Sequence, residues 1–254
     1  MAHNYEYRFE LKPGKFVYIP TNFGARRGRK IVSSLLKRWT PADYFYHFGK
    51  RGGHVAAMRP HEHHRFRASI DLRGFFTSIS RTKVHRALTF LGYSNRHALD
   101  IAEESCVEAE GRKFLPYGFT QSMALATLAI EKGALGAELV KQRASGIVTT
   151  MYVDDILISS DSAADLGGAF DGLIAAIETA NLSLSEEKSS KPNNSVEAFN
   201  CVISEKGIKI TDQRMSRFEE QLELASDYGK EAILRYVGVI NAEQRQILKN
   251  KIAL

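Results

Sequence analysis

Apolar positions along this chain follow two periods, and the way the periods are interspersed predicts an α+β fold. Arg67–Leu72 alternates as a strand that ends at Asp71. Gly146–Val153 is a run of β-formers, and Ile156–Ser159 is strand-like again, so the two predict a hairpin with Asp154 and Asp155 at its tip. That tip is unusual, because it is neither Asn-Gly nor Asp-Gly. A further hairpin is predicted from Val196–Ile203 and Gly207–Ile210, turning near Glu205–Gly207. Tyr44–Phe48 and His54–Met58 read as strands about a Gly49–Gly53 turn. Helical spacing marks 31–38, Thr82–Leu91, Asn95–Glu110, roughly 121–140, Ala163–Ala180, Arg214–Ala225 and Ala242–Lys251. Residues 21–30 read as a basic, glycine-containing loop, and Pro116–Thr120 as a second loop. Strands and helices mix without regular βαβ alternation, which favours an antiparallel sheet with helices on one face.

Composition adds bounds. At 254 residues the chain can bury a large core as one large domain or two small ones. Its longest apolar run, Met123–Ile130, is too short to span a bilayer, and residues 1–12 lack the apolar stretch of a signal peptide. Cys106 and Cys201 form no metal or disulfide pattern and read as buried thiols in a reducing cytoplasm. Charge is asymmetric. Residues 1–70 hold 14 Lys and Arg against 4 Asp and Glu, whereas the remainder is slightly acidic, within a net charge of +6. A basic third suggests an anionic polymer, although a solvated basic face accounts for charge alone equally well.

The candidate chemistry lies in acids that do not suit a core. Asp71 sits between Ala68-Ser69-Ile70 and Leu72, and Asp154-Asp155 between Met151-Tyr152-Val153 and Ile156-Leu157-Ile158. Buried unpaired carboxylates are costly and adjacent ones repel, and a bound dication removes that cost. Neighbours in a strand point to opposite faces, so one arrangement has Asp154 join Asp71 on the metals while Asp155 assists from the turn. An isolated Asp-Asp pair is equally compatible with ordinary turn chemistry. The His61-Glu62-His63-His64 cluster lacks zinc-site spacing and reads as polar or nucleic-acid-facing loop.

Five segments, taken in order, carry a resemblance. SIDLRGFFTSI (69–79), LPYGFTQS (115–122), MYVDDILIS (151–159), LSLSEEKS (182–189) and EAFNCVI (197–203) resemble successive blocks of reverse transcriptases, the last of them the primer grip. The chain is most similar in flavour to the retron-like and the abortive-infection or phage-defence groups. The resemblance implies a right-hand polymerase with fingers (1–68), a palm carrying inserted finger elements (69–210) and a short helical thumb (211–254). It implies RNA-directed DNA synthesis at two Mg²⁺ ions, or Mn²⁺, held by Asp71, Asp154 and Asp155.

The same resemblance assigns roles residue by residue. Phe76 matches the steric gate that favours dNTPs. Tyr117 stands where the family often has Gln, and Gly118 and Gln121 follow it toward the nucleotide. Lys188 matches the lysine that meets the leaving pyrophosphate, and as a bare residue it reads equally as an exposed helix-end lysine. Tyr152 falls beneath the primer terminus or in the core. Lys50, Arg51 and Arg59 are candidates for the triphosphate, the usual return-strand Arg being replaced by Val55-Ala56-Ala57. Arg26, Arg27, Arg29 and Lys30 are expected to meet an RNA template or a dedicated structured non-coding RNA through phosphates. With so short a thumb, a structured RNA, an oligomer or a partner protein is expected to complete the cleft. The competing readings are template-independent or protein-primed DNA synthesis at the same site, and a non-catalytic RNA-binding scaffold.

Overall fold

The computed structural model describes residues 4–48 and 53–252. Along the chain run β1 (Tyr5–Lys12), β2 (Lys15–Pro20), α1 (Asn22–Leu36), α2 (Gly53–Met58), β3 (Phe66–Asp71), the single-turn α3 (Phe75–Ser78), α4 (Arg81–Phe90) and α5 (Asn95–Ser105). They are followed by β4 (Val107–Ala109), β5 (Arg112–Phe114), α6 (Ser122–Glu131), α7 (Ala134–Ala144), β6 (Val148–Tyr152), β7 (Asp155–Ser160) and α8 (Ala163–Thr179). The last third holds β8 (Ser190–Asn193), β9 (Ser195–Ala198), β10 (Cys201–Ser204), β11 (Gly207–Ile210), α9 (Asp212–Leu224), α10 (Asp227–Ile240) and α11 (Ala242–Ile252). Among the described residues, no helix is long and apolar enough to cross a membrane.

The chain forms two compact units. The first takes the described residues up to Phe45, Leu72–Lys141 and Gly172–Ser185, and the second takes Tyr46–Asp71, Gln142–Asp171 and the described residues from Glu186 onward. In the first unit, β1 and β2 make an antiparallel hairpin at Pro13-Gly14, where Gly14 supplies the positive φ of 74°. The Tyr18 face of this hairpin packs on Val107, Phe114 and Phe119. The sequence pattern had left this hairpin unassigned, although YEYRFELK before Pro-Gly is a period-2 signal.

Three expectations in this unit are corrected. The basic segment 21–30 is not a loop but the start of α1, capped by the Thr21 hydroxyl, which accepts from the Gly24 amide. The helix predicted over Asn95–Glu110 stops at Ser105, because Cys106 turns extended and Glu110-Gly111, both at positive φ, close the small β4–β5 hairpin. The helix predicted over 121–140 is two helices, interrupted at Lys132-Gly133.

The second unit is built on a four-stranded antiparallel sheet ordered β6-β7-β3-β8, beside a three-stranded meander of β9, β10 and β11. The meander reverses once more than predicted, at Phe199-Asn200, whose φ values of 55° and 58° both fit a type I′ turn. His54–Met58 is not a return strand. It belongs to α2, where Val55 and Met58, three apart on one helical face, enter a core shared with Leu157, Val196, Ile203, Ile208, Phe218 and Val237. The chain is therefore α+β with an antiparallel sheet.

Strand β3 is buried along nearly its whole length, so its polar residues need internal partners. Arg67 donates to the carbonyls of His61, Glu62 and Asn194, each at 2.8 Å. His61 is not a loop residue facing nucleic acid. It lies buried between the strands, with Nδ1 2.7 Å from Ser159 Oγ and Nε2 2.9 Å from Thr150 Oγ1. The Thr150 hydroxyl already donates to Ala57 O, so it accepts from the His61 Nε2–H, and Nδ1 accepts from Ser159.

This ring must stay neutral, and burial holds its pKa down at about 3 from the ordinary 6.5. Below pH 6.5 the unfolded chain takes up a proton that the folded chain refuses, so the His61 contribution is complete above 6.5 and is lost on acidification toward 3. His61→Gln should lose about 1–3 kcal/mol at pH 7.5 and show a shallower decline of melting temperature from pH 7 to 5 than the wild type. Equal pH dependence in both proteins would refute the assignment of His61 as a buried neutral ring.

Candidate active site

The acidic cluster arises from strand register. In the antiparallel pair β3–β7, Asp71 stands directly opposite Asp155, and in β6–β7 Tyr152 pairs with Asp155. The two-residue tip is therefore Val153-Asp154. At the backbone it is Asp155, not Asp154, that faces Asp71, because Asp155 is the first residue of β7 and Asp154 belongs to the tip. Directly opposed residues share a face with Cβ atoms about 5 Å apart. All three carboxylates interact: the Asp155 carboxyl is pushed up to about 7, first by burial, then by the charges of Asp154 and Asp71. Lys188, in a 3₁₀ turn over Glu186–Lys188, opposes this rise and places Nζ 3.7 Å from Asp71 Oδ1, while its side chain stays mostly exposed. The amide of Asp71 donates to Ser189 Oγ at 3.1 Å.

This donor set suits a hard dication, since it offers carboxylate oxygens at one sheet end and carries excess negative charge. Among the described residues, no three acidic, His or Cys side chains close into a ready-made metal cage. Mg²⁺ pairs in nucleotidyl transfer draw the rest of their shells from phosphates and water, so an open set of carboxylates is what that chemistry requires.

The tip itself is strained. Val153 has φ of 60°, a conformation that β-branched residues avoid. It is held by His47, whose Nδ1 accepts from the Val153 amide at 3.0 Å. Burial lowers the His47 pKa to about 4, which keeps that acceptor lone pair available. Tyr152 is half-buried, with ring contacts to His47, His54 and Phe199. His54 in turn meets the Tyr236 hydroxyl at 3.0 Å. Sequence reasoning missed His47, since its role depends on a contact across more than a hundred residues. Val153 carried a signal, as a β-branched residue in a two-residue hairpin tip.

The remaining predicted residues fall in different places. In the second unit, Arg59 is committed elsewhere, pairing with Glu62 and donating to Val239 O at 2.6 Å at the end of α10. Lys50 and Arg51 lie outside the described residues. In the first unit, Phe76 is buried and packs edge-on against Tyr117 at 4.8 Å, and the Lys15 ammonium lies 4.2 Å from the centroid of the tyrosine ring. Gly118 has φ of 102°, and a Cβ there would lie 2.2 Å from Tyr18 O, so the glycine is required by the approach of β2. Gln121 is buried, its amide lodged against Gly28 and donating to Ser105 at 3.4 Å. Arg26, Arg29 and Lys30 are exposed along α1, whereas Arg27 pairs with Glu104 at 2.7 Å.

Comparison with known proteins bears on the family and the fold. Residues 15–239 match the family model for reverse transcriptase (RNA-dependent DNA polymerase). The retron Ec86 reverse transcriptase of Escherichia coli is 25% identical over 200 residues, which cover 76% of this chain and 59% of that protein. The chain thus spans under two thirds of that relative. Among solved structures, the foamy viral protease-reverse transcriptase in complex with double-stranded DNA superposes with a TM-score of 0.50 at 17% identity, over 98% of this chain and 38% of the other. The BmCPV RNA-dependent RNA polymerase at its elongation state gives 0.57 at 12% identity, over 89% and 25%. With the family model spanning most of its length and the acidic hairpin at the end of an antiparallel sheet, this chain belongs to the reverse transcriptase family.

Proposed function

We propose that the chain is an RNA-directed DNA polymerase that adds dNTPs to a 3′-hydroxyl. The observation that carries this reading is the opposition of Asp71 and Asp155 in register, with Asp154 in the adjoining strained tip. When bound, two divalent cations, Mg²⁺ or in its place Mn²⁺, supply activation of the 3′-hydroxyl and neutralisation of the leaving pyrophosphate. Asp71, Asp154 and Asp155 are the residues to hold them. Lys188, paired with Asp71, carries a proton within reach of the same carboxylates and is suited to meet the pyrophosphate. Tyr152, wedged between His47, His54 and Phe199, gives a rigid surface for a primer end. Fingers (1–68), palm (69–210) and short thumb (211–254) belong to the same reading, as does an RNA template in a structured RNA.

Phe76 is assigned as the gate against a 2′-hydroxyl. Its support is mechanical: the ring is buried and packs against Phe75 and Tyr117, which hold it in place. The departure from Gln at position 117 then has a purpose, since an aromatic ring there braces the gate.

The test is synthesis by the purified chain with labelled dNTPs, Mg²⁺ and a primed RNA template. The Asp154→Ala, Asp155→Ala double variant should lower the rate on the order of a thousandfold or more. A product complementary to the template establishes templated synthesis. An aspartate-dependent product without complementarity means untemplated or protein-primed synthesis, and no product on any template sinks the polymerase reading. Phe76→Ala should raise rNTP incorporation relative to dNTP by about tenfold or more, and Tyr117→Ala should move the same ratio less far. An unchanged ratio in Phe76→Ala would remove the gate assignment.

A further inference from the structure

Three adjoining cavities run across the first unit, and none is lined by the acidic triad or by Phe76, Tyr117, Gly118 or Gln121. The middle one, about 780 Å³, is bordered by Arg81, Lys83, Arg86, Arg112 and Lys113, with Glu108 as its acid. A cavity of about 310 Å³ shares Lys83, Arg86 and Asn181 with it and is walled by apolar side chains ending at Phe90. On the other side, a cavity of about 640 Å³ shares Thr77, Glu108, Arg112 and Phe114 and reaches Arg8 and Phe16. The shared residues make one continuous trough.

Its charges are not all used by the fold. Glu103 accepts from both Arg81 and Lys113, and Lys83 donates to the carbonyls of Ser78 and Asn181. Arg112 has only a loose, exposed pair with Glu110 at 3.7 Å. Arg86 is exposed and has no carboxylate partner among the described residues. An aromatic ring stands at each end beside a cation: Phe90, 73% exposed, near the Lys132 ammonium, and Phe16 under the Arg8 guanidinium. Hydroxyls of Thr77, Ser78, Ser80 and Thr82 line the middle.

The geometry points to a binding trough for a single-stranded polynucleotide, distinct from the nucleotide-addition site. A row of cations follows successive phosphates, and the exposed Phe90 ring at one end and the half-buried Phe16 ring at the other stack unpaired bases, the combination by which single strands are held without base reading. One isolated phosphate would leave most of the trough and its terminal rings unused. An acidic peptide would leave the terminal rings unused. Thr77 and Ser78 donate to the carbonyls of Gly74 and Phe75, and the Ser80 hydroxyl caps α4, so the lining does not choose between ribose and deoxyribose, and RNA and DNA are the two sources to be separated.

The experiment measures anisotropy of a fluorescein-labelled single-stranded RNA of mixed sequence, and of the DNA of the same sequence, against salt. Arg86→Glu with Arg112→Glu should weaken binding about tenfold or more at low salt and flatten the log–log salt slope by about 1.4, two contacts at about 0.7 each. Phe90→Ala should weaken binding about fivefold or more without changing the slope. Ultraviolet crosslinks to the wild type should map to peptides containing Phe90 or Phe16. Loss confined to RNA makes RNA the occupant, and equal loss for both polymers makes the trough a general single-strand site. Wild-type affinity and slope for both polymers in folded variants, with crosslinks only elsewhere, would overturn the proposal. Because the readout is binding, it stands apart from the synthesis assay, in which these variants should extend a short preformed primer-template at the wild-type rate.

Discussion

The second unit is organised around like charges held against their repulsion. Asp71 and Asp155 face each other across two buried strands, and Asp154 adds a third carboxylate at the tip. Like charges directly opposed in a sheet are destabilising, so the rest of the sheet has to supply the register. Ala68, Ile70, Ile156, Leu157 and Ile158 do so: these strands are buried on both faces, and close packing of side chains of unequal size on each face resists a slip. The acids sit at the end of an apolar ladder that admits one alignment. Hydrophobic burial thus fixes the position of charges that would otherwise separate.

Two neutral histidines support this arrangement in different ways. His61 ties β6 to β7 through Thr150 and Ser159, locking the strands whose tip bears the acids. His47 receives the Val153 amide and stabilises a backbone conformation that valine does not choose for itself. In both rings an acceptor nitrogen is essential, and in both burial suppresses protonation. The strained tip is thus supported from outside the hairpin, the pattern expected where backbone strain is retained for function. The Tyr152, His54 and Tyr236 contacts extend the support to α10, so the C-terminal helices share the core that holds the sheet.

The sequence was legible where chemistry and periodicity coincide. Strand β3 ending at Asp71, the β6–β7 hairpin, α4, α8, α9 and α11 follow from spacing, whereas α10 is not among the helices that spacing marks, and the carboxylates were conspicuous because apolar strands surround them. Boundaries failed where local signals were outweighed by packing. The basic segment 21–30 looked like a loop because of its glycines, yet Gly28 is there to admit the buried Gln121 amide into a helix–helix contact. Val55, Ala57 and Met58 looked like a strand but form a helical face on the core. Gly118 is explained by the carbonyl of Tyr18 a hundred residues away.

By itself the sequence determined the chemical inventory, namely three acids in apolar strands, a lysine near them, an aromatic gate candidate and a basic N-terminal third. These follow from residue type and short-range order, which a linear pattern records. Only the tertiary structure decided that Asp155 is the residue opposite Asp71, that Arg59 is bound to a helix end, that His61 belongs to the core and that His47 secures the tip. Each of these is a contact between segments distant along the chain. Register and long-range hydrogen bonds are set by how the whole apolar surface is buried, and no local pattern carries that information.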